Sequence, residues 1–438
     1  MFLCVFYSFV PIQHGIGYIQ HYRTQQPSEL LPLHLMSIKK IINDPIYGLI
    51  RFPFEILYDI IDHPIFQRLR RISQMGLSTY VYPGATHSRF SHALGALHLM
   101  TNAIETLKAK GNTVTDDEYQ GVCIAILLHD IGHGPFSHAL EGMIIDTSHE
   151  DISLLLMEKL NIEYKGQLDT AISIFTSKHP KKYLTQLVSS QLDMDRMDYL
   201  TRDSYYSGVA EGVIGYKRII SMTNVSDNQL VIEEKGIFSI EKFLVARHIM
   251  YWQVYLHKNS IAAEQMLKKF IQRLKFLVVN EDYQIENETL CQLIGIKAVK
   301  NSKNGDTLNH KLEYFTKLDD IDVFQIIKSS ITSADQVLRM LALGLLNRRL
   351  FKVILQKEPF DSDLLAEVRQ NVKITKVLSK SELDDIIISG KETTKAYDPA
   401  YNEIKVLSKL GRVAPMSEHL DMLVNITDIT KYYLCYPK

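Results

Sequence analysis

An adjacent histidine and aspartate interrupt an apolar part of the chain, where a charge needs a partner. His129 and Asp130 follow residues 122–128, an apolar run that is typical of a buried helix. A carboxylate is almost never buried in apolar surroundings unless it is paired or binds a metal ion. Neighbouring side chains project about 100° apart on a helix, so both can reach one ion beside it. The pair therefore indicates a metal site.

Two other segments offer ligands of the same kind. His92 ends the sequence Arg89-Phe-Ser-His92, and Asp195 lies within Asp193-Met-Asp-Arg-Met-Asp-Tyr199. The predicted ligand set is thus His92, His129, Asp130 and Asp195. Imidazole and carboxylate together favour one divalent transition metal, Mn, Fe, Zn or Ni, over calcium or magnesium alone. Such a metal activates water and polarises a phosphoryl group, which predicts hydrolysis.

The predicted helix that begins near residue 192 carries a polar face. Its members follow one another at positions i, i+3, i+4, i+7 and i+8, namely Asp195, Asp198, Tyr199, Arg202 and Asp203. A solvated face of an ordinary amphipathic helix is the alternative. Because Tyr199 stands among the charges, the pattern favours a face that lines a polar cavity.

More histidines follow the His-Asp pair. His133 comes first, then His138 with Glu141 three residues later, and then His149. Imidazoles near a phosphate are natural general acids for a leaving oxygen, and a carboxylate such as Glu141 can orient one of them. For His149 alone, an exposed residue at the start of a helix is the alternative.

Composition bounds the classes of function. The chain has 438 residues, of which 46% are hydrophobic and 23% charged, with a net charge of -1. A pI near 7.0 gives no bias towards nucleic acid or an anionic membrane. The four cysteines form no CxxC motif, which argues against a disulfide scaffold and a zinc-thiolate site. This usage fits a reducing compartment, so we expect a cytoplasmic protein.

The first 35 residues do not match the rest. Residues 1–10 are apolar but too short to span a bilayer, and no basic segment precedes them as in a signal peptide. A well-patterned segment begins at Met36. Two hypotheses follow: Met36 is the natural start, or residues 1–35 are a disordered extension.

Hydrophobic spacing predicts a mainly α fold with three parts. Helical signals dominate residues 53–275 and include 65–75, while residues 229–233 alternate as a strand does. Beyond residue 280 helices mix with alternating stretches, among them 372–378. We therefore predict an uncertain extension over 1–35, a helical catalytic core over 36–280 and a smaller mixed α/β region over 281–438.

An ordered series of motifs over residues 40–258 resembles the HD-domain phosphohydrolases. Within them, it is similar to the deoxynucleoside-triphosphate triphosphohydrolases of the sterile-alpha-motif/HD type and their bacterial relatives. The motifs are Asn43-Asp-Pro-Ile-Tyr-Gly48, Phe66-Gln-Arg-Leu-Arg70, Tyr82-Pro-Gly-Ala-Thr-His-Ser-Arg-Phe-Ser-His92, His129-Asp-Ile-Gly-His-Gly-Pro-Phe-Ser-His138, Asp193-Met-Asp-Arg-Met-Asp-Tyr199 and Arg202-Asp203. The resemblance implies an HD-domain helical catalytic core that hydrolyses deoxynucleoside triphosphates to deoxynucleoside and inorganic triphosphate. No sterile-alpha-motif pattern is evident, so the likeness is to the catalytic-core form.

The resemblance also implies roles for individual residues. The metal ligands match those given above, and His149 matches the catalytic histidine, with His138 and Glu141 near it. Substrate contacts are implied for His133, for three triphosphate-binding cations, Arg89, Arg196 and Arg247, and for four deoxyribose contacts, Gln74, Tyr199, Asp203 and Tyr255. Tyr199 would crowd a 2′-hydroxyl, while Gln74 and Asp203 would bind the 3′-hydroxyl. Ser204-Tyr-Tyr-Ser207 departs from the histidine-bearing stretch of the family, which leaves base preference open.

Relatives in the family are activated by a guanine nucleotide bound between subunits. The resemblance thus implies a homo-oligomer, a dimer or a tetramer, and magnesium arriving with the nucleotide. The matching positions are Lys40, Ile41, Asn43, Asp62, Gln67 and Arg70. The alternative is that residues 67–70 lie on a charged helix and form a solvated face.

Two rival functions stay open. One is an HD phosphohydrolase that acts on nucleoside monophosphates, cyclic nucleotides or an alarmone. The other is a nucleotide sensor or a binder of single-stranded nucleic acid. Three spaced arginines favour a long polyphosphate, the complete ligand set favours activity, and the neutral pI argues against strong binding of nucleic acid.

Overall fold

Helices make up most of the computed structural model, which describes residues 41–281, 283–295, 304–375, 378–394, 397, 403–419 and 429–438. The described residues belong to one unit, Lys40–Lys438, and the predicted extension over 1–35 lies outside them. The helices are α1 Ile56–Asp62, α2 Pro64–Gln67, α3 Arg89–Ala109, α4 Asp116–Leu128, α5 Ser137–Leu140, α6 His149–Glu163, α7 Asp169–Phe175, α8 Lys182–Val188, α9 Met194–Ser207, α10 Tyr216–Met222, α11 Ile237–Met250, α12 Lys258–Asn280, α13 Glu288–Gly295, α14 Asn304–Phe315, α15 Asp320–Ser329, α16 Gln336–Leu346, α17 Ser362–Thr375 and α18 Lys380–Ile386. Among the described residues, no helix is both long enough and apolar enough to cross a bilayer.

Three small sheets accompany the helices. Their strands are β1 Ile42–Asp44, β2 Gly48–Ile50, β3 Thr223–Ser226, β4 Gln229–Glu233, β5 Lys352–Gln356, β6 Ile388–Thr394, β7 Lys405–Leu407, β8 Val413–Pro415 and β9 Ile429–Tyr436. β1 and β2 form a hairpin, and the other sheets have the orders β3-β4-β7-β8 and β5-β9-β6. The pair β4-β7 is parallel, with Val231 opposite Lys405, and the other pairs are antiparallel. The predicted mainly α fold with a mixed C-terminal region is thus confirmed.

Helix α4 forms because its start carries capping residues and the rest of it is apolar. Thr115 and Glu118 make a reciprocal capping box at its start, which satisfies two free backbone N–H groups. Every side chain from Val122 to Leu128 is buried, as expected for a helix that is surrounded by others. Gly121 allows α7 to approach closely, since a Cβ atom there would lie 2.5 Å from Thr170 Cγ2. The helix ends just before His129 and Asp130, so both lie in the turn that follows.

Helices α3 and α9 approach each other closely at a glycine. A Cβ atom at Gly95 would lie 2.0 Å from Asp198 Oδ1 and 2.2 Å from Arg202 Nη2. Only a residue without a side chain leaves room for this carboxylate and guanidinium. The packing brings Arg89 and His92 of α3 next to the polar face of α9.

Two predicted elements are wrong. The helix predicted over 65–75 ends at Gln67, continues as a 3-10 turn and then becomes extended, so that Ser73 pairs with Ser88. Hydrogen bonds to distant residues hold the chain there in place of helical ones. The strand predicted over 372–378 is contradicted at 372–375, which belong to α17. Val368 and Val372 are both buried and lie four residues apart, which is the spacing of one helix face and not the alternation of a strand.

Candidate metal centre and active site

Three separate elements bring the four predicted metal ligands together. Helix α3 carries His92, the turn after α4 carries His129 and Asp130, and α9 carries Asp195. Asp195 Oδ1 lies 3.1 Å from His92 Nε2 and 3.4 Å from His129 Nε2, while Asp130 Oδ1 lies 3.2 Å from His129 Nε2. Ligand atoms of His92, His129 and Asp130 all lie within 4.8 Å of one another. This spacing fits a cation bound between them.

The hydrogen bonds of the two histidines also fit a metal ion. His92 directs Nδ1 to Asp198 Oδ2 at 2.8 Å, and His129 directs Nδ1 to the carbonyl of Ile126 at 2.7 Å. With a proton on each Nδ1, each Nε2 keeps its lone pair. Both Nε2 atoms are buried, and neither makes a hydrogen bond of normal geometry with the described residues. A divalent metal would satisfy both nitrogens.

The electrostatics of the cluster call for positive charge at its centre. Burial alone would lower the pKa of His92, but the adjacent carboxylates of Asp195 and Asp198 outweigh it and raise this pKa to about 10. Burial raises the pKa of Asp195, yet His129 and His92 bring it below its usual range. These shifts favour positive charge between the carboxylates. A metal cation held by the same side chains would supply it.

A second layer of side chains lies behind the ligands, and it includes Asp198 and Arg202, which were predicted to share a polar face with Asp195 but were given no role in the site. Arg202 donates to Asp198 from Nε at 2.9 Å and to Asp44 Oδ2 from Nη1 at 2.8 Å. Asp198 and Arg202 are completely buried, and Asp44 nearly so. The signal was present in the i+3 and i+7 spacing from Asp195, but its partner on β1 could not be read from the spacing. This network orients His92 and links it to the β1-β2 hairpin.

The predicted catalytic group lies beside the metal cluster. His149 Nδ1 is 2.6 Å from Glu141 Oε1, and the His149 ring stacks on His133 with centroids 4.0 Å apart. His133 Nε2 lies 3.3 Å from Asp130 Oδ1, so the two histidines continue from the metal ligands to the surface. Burial lowers the pKa of His133 well below its usual value, and Arg89 adds to this effect. The side chain of His138 lies outside the described residues.

Each of the three predicted phosphate-binding arginines has a partner. Arg89 Nη1 donates to Asp130 Oδ2 at 2.6 Å, Arg196 pairs with Asp193, and Arg247 Nη1 donates to Gln191 Oε1 at 3.1 Å. Arg89 therefore also supports a metal ligand. The partners Asp193 and Gln191 were not among the site residues predicted from the sequence.

The predicted sugar contacts form a connected group. Tyr255 donates to Asp203 Oδ2 at 2.7 Å, and its ring lies edge-on to Tyr199 at 6.4 Å. His87 Nε2 lies 2.7 Å from Asp203 Oδ1, a partner that was missed although it belongs to the same motif as His92. The backbone N–H of Gln74 donates to the His87 carbonyl, and Gln74 Oε1 is buried without a hydrogen-bond partner among the described residues. Burial raises the pKa of Tyr199 and Tyr255, which keeps both phenols protonated as donors.

The predicted regulatory positions lie mainly on the surface. Lys40 falls outside the described residues, while Ile41, Asn43, Asp62 and Arg70 are exposed and Gln67 is half-buried. Gln67 donates from Nε2 to the Ile61 carbonyl, and Arg70 donates to Gln67 Oε1 at 2.8 Å and lies 3.6 Å from the Phe90 ring centroid. Their role as a nucleotide site stays a prediction.

Comparison with known proteins agrees with this geometry. The HD domain family model matches residues 89–203, and the HD associated region model matches residues 214–306. The structure of a phosphohydrolase from Bacteroides thetaiotaomicron has 47% sequence identity and a TM-score of 0.87, covering 91% of this chain and 100% of that one.

Two curated relatives extend the comparison. The uncharacterized protein YwfO of Bacillus subtilis is 29% identical over 92% of this chain and 93% of its own length. The deoxynucleoside triphosphate triphosphohydrolase SAMHD1 of Homo sapiens is 29% identical over 75% of this chain and 57% of its own length. From its motifs, fold and converging His and Asp side chains, the chain belongs to the HD-domain phosphohydrolases and is related to the SAMHD1 triphosphohydrolases.

Proposed function

We propose that this protein hydrolyses deoxynucleoside triphosphates to deoxynucleoside and inorganic triphosphate. One observation carries the proposal: Asp195, Tyr199 and Asp203 repeat at four-residue spacing along one face of α9. They span about 12 Å of helix, with the metal cluster at one end and the sugar-type contacts at the other. A phosphate and its attached sugar can lie along this face together.

The proposed reaction breaks the bond between the α-phosphorus and the 5′-oxygen. A divalent transition metal held by His92, His129, Asp130 and Asp195 would activate the attacking water and polarise the phosphoryl group. His149 then gives a proton to the 5′-oxygen as the deoxynucleoside leaves. Glu141 accepts from His149 Nδ1 and fixes the ring, so that Nε2, which lies 3.3 Å from Glu150 Oε1, is the nitrogen that gives the proton.

Arginines supply the charge that a triphosphate requires. Arg89 and Arg247 are buried and Arg196 is half-buried, so each acts where water screens little. Because Arg89 already donates to Asp130, it would neutralise charge on a phosphate and orient a metal ligand at once. Electrostatic stabilisation of this kind usually makes the largest contribution to phosphoryl transfer.

Sugar selection follows from the aromatic end of the face. Tyr199 would leave no room for a 2′-hydroxyl, which excludes ribonucleotides. Asp203 accepts hydrogen bonds and Gln74 offers a buried amide, and together they would bind the 3′-hydroxyl. A site with unsatisfied polar groups discriminates strongly against an analogue that lacks the matching hydroxyl.

We also propose that a guanine nucleotide activates the protein in a homo-oligomer. Asp62 and Arg70 are exposed, Arg70 donates to Gln67 Oε1, and an aspartate can pair with a guanine edge. The buried path from Asp44 through Arg202 to Asp198 supports communication between the hairpin and the metal centre. Magnesium is expected to accompany the nucleotide.

The test is product analysis with metal-loaded protein. Each of the four deoxynucleoside triphosphates is incubated with and without GTP or dGTP, and products are separated by anion exchange. We expect deoxynucleoside and inorganic triphosphate, with GTP or dGTP raising the rate. Monophosphate with pyrophosphate, or no product under any condition, would contradict the proposal.

Two variants sharpen this test. Asp195→Ala should abolish turnover while leaving nucleotide binding measurable. If the parent protein binds nucleotides but hydrolyses none of them, it is a nucleotide sensor instead. Tyr199→Ala should admit ribonucleoside triphosphates. If that variant gained no ribonucleotide turnover, Tyr199 would not select the sugar.

A further inference from the structure

A segment outside the metal cluster contacts two loops of the active site. One is the loop at residues 131–136, which carries His133, and the other carries Ser73 and Gln74. Residues 315–320 connect α14 to α15, beyond the parts of the chain that the two family models match. We propose that this segment positions the active site, with Asp320 and Arg68 as positioning residues that hold the His133 loop against the Gln74 segment. The expected effect on kcat rests on the proposed function, whereas the expected effect on amide hydrogen exchange does not.

Asp320 joins the two loops through one carboxylate. Its Oδ1 accepts from the Phe136 N–H at 2.9 Å, and its Oδ2 accepts from the Ser73 N–H at 2.8 Å. Asp320 is only 8% exposed, so little water competes for these oxygens. Phe136 has φ of 46°, in the left-handed region that a non-glycine residue adopts at a cost. The bond from Asp320 helps to hold it there.

Arg68 makes a second connection to the same segment. Its guanidinium donates to the carbonyls of Leu318 at 3.1 Å, Ile131 at 2.9 Å and His133 at 2.9 Å, and it lies 5.1 Å from the Phe315 ring centroid. Arg68 is completely buried. A fully buried guanidinium that binds three carbonyls from two distant segments fixes their separation.

The loops that Asp320 and Arg68 contact carry residues of the proposed mechanism. His133 lies against Asp130 and stacks on His149, and Phe315 lines the same small cavity as both histidines. On the other side, Ser73 precedes Gln74, whose N–H donates to the His87 carbonyl at 3.0 Å. The segment therefore sets the distance between the catalytic histidines and the sugar contacts.

The principal test compares Asp320→Asn with Asp322→Asn. Asparagine has one acceptor oxygen where aspartate has two, so either the Phe136 or the Ser73 N–H loses its partner. Asp322 lies on the same helix and accepts from the Asp319 N–H and from Asn287 Nδ2, and among the described residues its carboxylate has no hydrogen bond to either loop. Asp320→Asn should speed amide hydrogen exchange at residue 73 or 136 about tenfold, and Asp322→Asn should not.

Measurement of kcat distinguishes a positioning role from a purely structural one. Asp320→Asn should lower kcat by on the order of 10- to 100-fold, because small misplacements of catalytic groups are costly. Metal content and far-UV circular dichroism should match the parent. Unchanged exchange at both amides, or a loss of activity that only follows metal content, would overturn the proposal.

A second variant covers the case in which Asp320→Asn does not fold. Phe315→Leu removes the ring beside Arg68 and Gly134 without breaking a hydrogen bond. It should also speed exchange in the loop at residues 131–136 and lower kcat, and an unaffected loop would overturn the proposal. Because exchange needs no substrate, it tests this inference even if the parent hydrolyses no deoxynucleotide.

Discussion

The Nδ1 atom of His92 lies 2.8 Å from Oδ2 of Asp198, and both side chains are completely buried. The carboxylate fixes the tautomer of the imidazole and makes its Nε2 a better ligand. Since Asp198 also binds Arg202, the orientation of a metal ligand depends on an ion network that reaches β1. Metal affinity should therefore respond to a residue that touches no metal.

Replacement of Asp198 tests this dependence. Asp198→Asn removes the negative charge behind His92 but keeps the size of the side chain, and we expect metal affinity to fall about 10- to 100-fold. Titration of the metal-free protein by calorimetry measures the change. Asp116→Asn, at a carboxylate that is 93% exposed, serves as the control. Equal affinities in the two variants would contradict the prediction.

Replacement of the predicted general acid should separate chemistry from metal binding. His149→Ala should lower kcat by about 10²- to 10⁴-fold, the usual contribution of a positioned proton donor. Glu141→Gln should lower kcat less, since His149 remains but loses its charged partner. Metal content should stay at the parent level in both. The control is His179→Ala, a half-buried histidine near Glu118, and comparable loss there would refute the assignment.

The close approach of α3 and α9 makes Gly95 intolerant of any side chain. Gly95→Ala would place a methyl group 2.0 Å from Asp198 Oδ1, so the helices must separate. We expect a loss of about 1–3 kcal/mol in the free energy of unfolding, together with weaker metal binding. Gly215→Ala is the matched control, because a Cβ atom there meets nothing within 4 Å. Urea unfolding of both variants decides the point.

Glu264 on α12 should make stability depend on pH. Burial, reinforced by Glu392 and opposed by Lys268, raises its pKa from 4.5 to about 7. The folded state then holds the proton more tightly than the unfolded state, so stability present below pH 4.5 is lost as pH rises towards 7. Glu264→Gln mimics the protonated form, so at about pH 8 it should be roughly 1–3 kcal/mol more stable than the parent. Urea unfolding near pH 4 should show no such gain, and an equal gain at both pH values would exclude this cause.

The types of metal ligand could be predicted from the sequence, but the contacts of the residues that support them could not. His129 and Asp130 stood out because they interrupt an apolar helix, and β4 was predicted over its full length from alternation. Arg68 looked like part of a solvated helix face, yet it is completely buried. Its three carbonyl partners lie as many as 250 residues away in sequence, and no local pattern contains them.

What the sequence determined is the chemistry: which imidazoles and carboxylates are present, how they repeat along helices, and which family they match. Helical period and burial propensity are local properties, so the side chains that line one face could be identified without coordinates. What only the tertiary structure decided is partnership, such as Asp198 with His92 and Asp320 with Ser73 and Phe136. Those contacts depend on how distant elements pack, because a buried polar group binds whichever complementary group the fold brings within about 3 Å.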